Sequence, residues 1–284
     1  MYNLTFKTNN GNTLLLNHEN GINLSTVEGA TGLPVSLFTA QGYQQIGQSV
    51  SAQTVNGRDI ILNGFIFKEF SKQKKALMSA FAPFSSGRLF WEDKYFIDVV
   101  VKNAPNVTQN NDSRFSVRLF APFPFWSDKT KVSQVNGQVE KEFSFPVNYG
   151  TPHRFGTKNS GSEYVVVNSG EVESLFELNI SGSEEIVNPK ITNIKTGEFL
   201  KFNGEIDVGE TLRLYQDGGK IRIVLKRSSG EKENVVSWLD EESSLFSLQV
   251  GDNRFKAEAE QGDTNMVSSI SFYPLYSGVL MNGV

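Results

Sequence analysis

The 284-residue sequence contains no cysteine, which excludes a disulfide framework, a thiolate metal site and a cysteine nucleophile. A chain without thiols fits synthesis in the cytoplasm. Histidine is almost as scarce. His18, in the turn-like LNHENG, and His153, just after Pro152, are the two present, and a lone histidine on a turn is more often a surface residue than a catalyst or ligand. No apolar run approaches the ~18–20 residues that span a bilayer, so no membrane partner is expected. The start, MYNLTFKTNNGN, lacks the charged segment and apolar run of a signal peptide. No H-E-x-x-H, G-x-S-x-G or phosphate-cradling glycine loop occurs, and GDTNM lacks the alternating acids of a calcium loop. The neighbouring acids Glu92 and Asp93, Glu184 and Glu185, and Asp240 to Glu242 point to alternate faces if they lie on strands, so they do not form a pair spanning a scissile bond. A net charge of −4 gives no reason to expect sequence-specific nucleic-acid binding. No catalytic residue, metal ligand or cofactor site is assigned, and the chain is not expected to be an enzyme.

What the sequence does contain is enough apolar material for a core. It is 38% hydrophobic, with 22 Phe and 25 Gly, and disorder is not expected. Period-two alternation runs through most of it. RFSVRLF sets Phe115, Val117 and Leu119 on one face and Arg114, Ser116 and Arg118 on the other. DIILNGFIFKEF and YFIDVVVKNA are further β-rich runs. TLRLYQDGGKIRIVL reads as a hairpin, with Leu212 and Leu214, a turn at Asp217-Gly218-Gly219, then Ile221, Ile223 and Leu225. One segment breaks the pattern. FSKQKKALMSAF brings Phe70, Leu77 and Phe81 to one helical face, with Ser71 as the expected N-cap and Pro83 as the stop. The lysines at 72, 74 and 75 read as its solvated face rather than an anion site.

Two stretches carry no clear element. Residues 28–54, rich in Gly, Ser, Thr and Gln, include the scattered apolar residues Leu33, Val35, Leu37, Phe38, Tyr43 and Ile46. Residues 127–143 are polar and follow FAPFPFW, residues 120–126, whose two prolines keep its aromatics off helices and central strands. Through residue 128 the chain has 11 Lys+Arg against 9 Asp+Glu, and the remainder has 16 against 22. The composition shift and the change of charge sign place a boundary near 128. Some ten short strands with regular turn signals then suggest a β-sandwich. In that half Trp238, Tyr215, Tyr149 and Tyr164 are candidates for a sugar-stacking platform. The His-x-Asn-Pro-Arg and Trp-Gly-x-Glu runs of galectin-type sites are missing, with only NPK at 188–190 and WLDE at 238–241 near them.

The order of these features resembles the distal tail protein family of long-tailed, non-contractile phages. GRDIILNGFIF followed by SKQKKALMSAFAPFSSGRLFWEDKYFIDV resembles its strand, helix, strand order. RFSVRLFAPFPFWSD resembles the strand and Pro-aromatic exit that close its first domain. NSGEVESLFELNISGSEEIVNPKITNIKTGEFLKFNGEIDVGETLRL and VVSWLDEESSLFSLQVGDNRFKAEAE resemble its outer domain. The resemblance implies a mainly β chain: an N-terminal split β-barrel with one α-helix over 1–128, then a C-terminal galectin-like β-sandwich over 129–284. It implies a structural hub, in which the first domain builds a hexameric ring around a channel for DNA. The tail tube protein and a tail-associated hub or lysin protein would be its partners, with receptor-binding or adhesin proteins on the outer domain. Its place would be the virion tail tip, after assembly in the host cytoplasm, and a prophage or tailocin source fits equally. The alternative is a carbohydrate-binding accessory module for cell-wall glycans.

Two groups of residues then acquire candidate roles. Leu33, Val35, Leu37, Phe38, Tyr43 and Ile46 form either an arm lying on the next subunit or an intramolecular loop over a barrel edge. Phe120, Phe123, Phe125 and Trp126, with Phe81 and Phe84 of the earlier FAPF, are expected to pack a domain junction.

Overall fold

The structure, a computed structural model, describes residues 2–107, 113–136, 163–217 and 220–279, with the backbone of 139–140 and 157–158. Its chain divides into two units. The first comprises 1–130 and 275–284, and the second 131–274.

The first unit is an antiparallel sheet rolled around its own core. Its strands are β1 (Leu4–Thr8), β2 (Thr13–Leu16), β3 (Ile22–Glu28), then, beyond the hairpin strands β4 (Val35–Ala40) and β5 (Ser49–Val55), β6 (Arg58–Ile66). After helix α1 (Phe70–Ala80) come β7 (Ser86–Trp91), β8 (Tyr95–Val107), β9 (Arg114–Ala121) and β10 (Trp126–Asp128). The strand order is β2-β1-β7-β8-β9-β6-β3. Alternation explains the roll: β6 buries Ile60 and Leu62, and β9 buries Phe115, Val117 and Leu119, each strand turning one face inward. The strands at the two ends of the path supply Leu14, Leu16, Ile22 and Leu24 to the same core. Strands β2 and β3 do not hydrogen-bond to each other, so the barrel is split.

Helix α1 packs against β1, β2, β6 and β8. Leu77 is fully buried, and the Phe81 ring stacks on Phe6 with centroids 4.7 Å apart. The helix starts earlier than its sequence suggests. Its N-cap is Glu69, in a left-handed conformation and without a side-chain cap bond, rather than Ser71. The Gln73 amide already reaches the Glu69 carbonyl at 3.0 Å, which places Ser71 inside the first turn. Lys72 bonds Glu69 at 2.6 Å on the solvent side.

The second unit is a two-layer sandwich. One sheet runs in the order β11 (Val132–Asn136), Met266–Phe272, Glu177–Gly182, Thr211–Asp217, Lys220–Lys226, Lys232–Asn234. The other runs Glu163–Asn168, Gly251–Glu258, Lys190–Asn193, Phe199–Lys201. Leu178, Leu212, Ile223 and Ile270 of the first sheet share one core with Val166, Phe255, Ile191 and Leu200 of the second. Leu212 and Leu214 pair across Thr211–Lys226 with Leu225 and Ile223, as the hairpin pattern predicts, although Gly218 and Gly219 of its turn lie outside the described residues. The chain is mainly β, with this sandwich following the split barrel.

The second boundary corrects the expected division at 129–284. The strand Leu275–Tyr276 returns to the first unit and pairs with β10, Trp126 opposite Tyr276 and Ser127 opposite Leu275. The sandwich is therefore an insertion between two short paired strands. A two-residue strand has no periodicity to read, and its partner lies about 150 residues upstream, so neither local pattern nor composition announces the return.

Candidate functional site

Among the described residues, reactive side chains do not converge. Among the described residues no group of three or more His, Asp or Glu side chains is placed to hold a metal ion. His18 stacks on Phe67, with ring centroids 4.4 Å apart, and His153 lies outside the described residues. Glu92 and Asp93 are the two central residues of a tight turn, with φ of +48° and +54°, the left-handed pair that an I′-type hairpin turn needs. Asp93 is ion-paired with Lys129, whose hydrogen bond holds its carboxyl below the ordinary range. Asp240 accepts a hydrogen bond from Asn203 at 2.9 Å, an ordinary use for a turn acid. A cleft lined by Leu175, Phe176, Leu214, Tyr215, Leu245 and Phe246 has a volume of about 50 Å³, far below the ~300 Å³ at which small-molecule sites begin.

Among the described residues the candidate sugar platform is not assembled either. Tyr164 is buried in the sandwich core and accepts a bond from Ser268 at 3.4 Å; burial pushes its phenol up to about 12. Trp238 sits on a short 3-10 turn rather than a strand, half-buried with its ring against Gly204, where even a Cβ would approach within 2.3 Å. Arg213 covers Tyr215 with its guanidinium 4.5 Å from the ring centre. Tyr149 lies outside the described residues.

The six aromatics expected at a junction are dispersed. Phe81 and Trp126 are fully buried in the first unit's own core, Trp126 edge-on to Trp91 at 6.1 Å. Phe120 is half-buried on the outer face of β9, filling the space a side chain at Gly57 would need. Phe84 is 98% exposed at a φ of +65°. Phe123 is half-exposed and tilts against half-buried Phe125 at 5.3 Å. A junction role therefore remains a proposal for Phe84, Phe123 and Phe125, whose surfaces the first unit's core does not consume.

The feature that stands out is the 28–54 stretch, which is a hairpin rather than irregular chain. Strands β4 and β5 pair from Val35 opposite Val55 to Ala40 opposite Ser49, with a bulge after Phe38. Its tip is held by its own amides: Gln45 Oε1 accepts from the Gly42 N–H at 2.8 Å, and Gln41 Nε2 donates to the Gln45 carbonyl at 3.0 Å. Asn56 closes the base, its N–H donating to the Pro34 carbonyl at 2.8 Å and its side chain to Ser36 at 2.6 Å. Among the described residues neither strand pairs with any other. Leu37 is 58% exposed, Phe38 53%, Tyr43 95% and Ile46 102%, and Val35, Val50 and Val55 are exposed too, while Leu33 at the base is half-buried. No Asp, Glu, Lys or Arg occurs between Glu28 and Arg58. Protruding sheet edges normally carry charges that deter pairing. This one carries apolar residues and none of those charges, which is the composition of an interface core.

Comparison with known proteins bears on the family and the fold. Residues 169–276 match the family described as siphovirus-type tail component, C-terminal domain. The second unit is similar to that family over most of its length. Its tail-component domain accounts for most of the sandwich, and the resemblance to distal tail proteins read from the sequence is borne out. The fold of nearly the whole chain is shared with solved tail proteins. The crystal structure of the SPP1 Dit protein, described as a paradigm of hub adsorption apparatus in Gram-positive infecting phages, matches at a TM-score of 0.68 and 10% identity, covering 96% of this chain and 98% of that one. Chains of the phage p2 baseplate in its activated conformation, with Ca and with Sr, match at TM-scores of 0.54 and 0.53 and 11% identity, each covering 98% of this chain and 100% of theirs. At such identities the likeness establishes a common fold. No curated protein matches the sequence.

Proposed function

We propose that this chain is a distal tail protein, a structural hub at the end of a siphophage-type tail or of a prophage or tailocin particle derived from one. Six copies close into a ring. The first unit surrounds a channel for DNA and joins the tail tube protein on one side and a tail-associated hub or lysin protein on the other. The inserted sandwich offers attachment points to receptor-binding or adhesin proteins. The ring belongs to the virion tail tip and assembles in the host cytoplasm. Its role is scaffolding rather than catalysis.

The observation that carries the ring is the uncharged, apolar hairpin from β4 to β5, which leaves about half or more of each large apolar side chain on its strands exposed and Tyr43 and Ile46 at its tip almost wholly so. A cyclic ring is built from heterologous contacts, in which one patch meets a different patch on the neighbour. A protruding hairpin is the natural male half of such a contact. Leu37, Phe38, Tyr43 and Ile46 would be its anchors, since interface energy concentrates in a few large side chains. A DNA channel needs no base-reading groups, so it asks nothing of this chain beyond a closed wall.

The test is the mass of the purified full chain by light scattering across a concentration series. A concentration-dependent species of six copies is expected. A strict monomer whose melting temperature rises with cell-wall glycans would replace the hub with a carbohydrate-binding module.

A further inference from the structure

The base of the hairpin holds a buried cation that no part of the hub reading uses. Arg58 begins β6, where the second leg of the hairpin re-enters the barrel, and is 1% exposed. It lies on the inward parity of its strand, alongside Ile60 and Leu62. Its hydrogen-bond partners are backbone carbonyls, not a carboxylate. Nη1 donates to Gly29 at 3.1 Å and Ala30 at 2.9 Å, where the first leg leaves the barrel, and Nη2 donates to the carbonyl of Ser277. One guanidinium thus ties together both legs of the hairpin and the returning C-terminal segment. Its planar fork suits this, because its donors diverge at fixed angles and lysine has no equivalent.

The same spot is held by four further contacts. The Ala30 carbonyl also accepts from Trp126 Nε1 at 3.0 Å and from the Val279 N–H at 3.3 Å. Gly278 lies so close to Thr31 that a Cβ on it would sit 3.1 Å from the Thr31 Cα. Gly29, at a φ of +75°, rests on β6, where a Cβ would come within 2.0 Å of the Asp59 carbonyl oxygen. A buried cation is costly unless its donors are satisfied, so the three carbonyls and Arg58 hold one another in place. Burial lowers the guanidinium pKa from its ordinary value, and the Arg58 Nε has no partner among the described residues.

We propose that Arg58, Trp126 and the segment Ser277–Val279 form a latch that fixes the root of the hairpin, so that the hairpin is presented for docking only when the chain returning from the inserted sandwich is seated. Arg58 is a positioning residue, and the C-terminal segment is part of the foundation of the arm. The strand pair of Trp126–Ser127 with Leu275–Tyr276 carries both passages of the chain between the two units, so displacement of the returning strand reaches the latch directly. The value of the latch for assembly rests on the hub reading; the latch itself does not.

Amide hydrogen exchange on the full chain tests it, comparing Gly278→Val and Arg58→Met with the parent. Gly278→Val pushes on Thr31 from the returning segment and leaves β6 unsubstituted, so it remains informative if Arg58→Met unfolds the protein. The latch requires that exchange at residues 29–33 rise by at least about tenfold in Gly278→Val, as local opening does, while amides of Glu177–Gly182 and of β9 keep their protection. Unchanged protection at 29–33 in folded Gly278→Val overturns the latch. If the root loosens but the mass of the assembled species is unaltered, the latch stands and the docking role of the hairpin fails.

Discussion

Two hairpins in this molecule share a backbone plan and differ in everything that surrounds it. In the pair Thr211–Asp217 and Lys220–Lys226, Leu212, Leu214, Ile223 and Leu225 turn inward and are buried, while Arg213, Lys220 and Lys226 face out. In β4 and β5 the apolar residues are exposed on both faces and no charge interrupts them. The first hairpin is anchored by burial, the second by its own hydrogen bonds and by the clamp at its root. Strand pairing alone makes a hairpin; a buried face decides whether it belongs to its own chain or to an assembly. An isolated two-stranded ribbon is marginal in water, so in the single chain the second hairpin depends on its root.

The comparison breaks most sharply under truncation. Ile223→Ala should destabilise the monomer by about 2–5 kcal/mol in urea unfolding, as deletion of a fully buried branched side chain does, whereas Leu37→Ala should change it by less than about 0.5 kcal/mol. Equal effects at both sites would mean that the exposed hairpin is packed in the monomer. A pH series gives the next largest effect. Tyr164 is raised to about 12 by burial, so the folded state keeps a phenol proton that the unfolded chain loses near pH 10. The stabilisation is fully present below pH 10 and falls by about 2–3 kcal/mol as pH climbs toward 12. Tyr164→Phe should abolish that part of the loss, and nothing in the uncharged hairpin should contribute to it.

Docking is expected to be more sensitive at the hairpin tip than stability is. Tyr43→Asp with Ile46→Asp should weaken self-association by at least about tenfold while leaving the melting temperature of the monomer in place. Sedimentation at several concentrations would show it, and an unaltered association constant would remove the tip from the interface. The smallest effect concerns the proposed junction. Phe123→Ala should increase protease cleavage near residue 130 by a few-fold with little change in melting temperature, because the ring is half-exposed and its removal opens no core cavity. If cleavage is the same, Phe123 packs no junction.

Legibility followed the physics of burial. The alternation in Arg114–Ala121 and in the 211–226 hairpin was plain because one face of each strand enters a core, and so was the helical face of Phe70, Leu77 and Phe81. The 35–55 hairpin was opaque for the complementary reason: with neither face buried in its own chain, nothing imposes a period of two on Val35, Leu37 and Phe38. Its apolar content still marked it as a candidate surface. Arg58 shares the parity of Ile60 and Leu62 in RDIILNG, which signals an inward position that its charge alone would argue against.

By itself the sequence determined the class of the fold, the two cores and the absence of any thiol chemistry, because local periodicity and composition carry that information. Only the tertiary structure decided that FAPFPFW divides its aromatics between core and surface, that the sandwich is an insertion, and that the hairpin root is clamped. Each of those rests on partners far apart in the chain, such as Trp126 with Ala30 and Arg58 with Ser277. A contact between residues so distant leaves no local pattern: it exists only once the barrel has closed and brought them together.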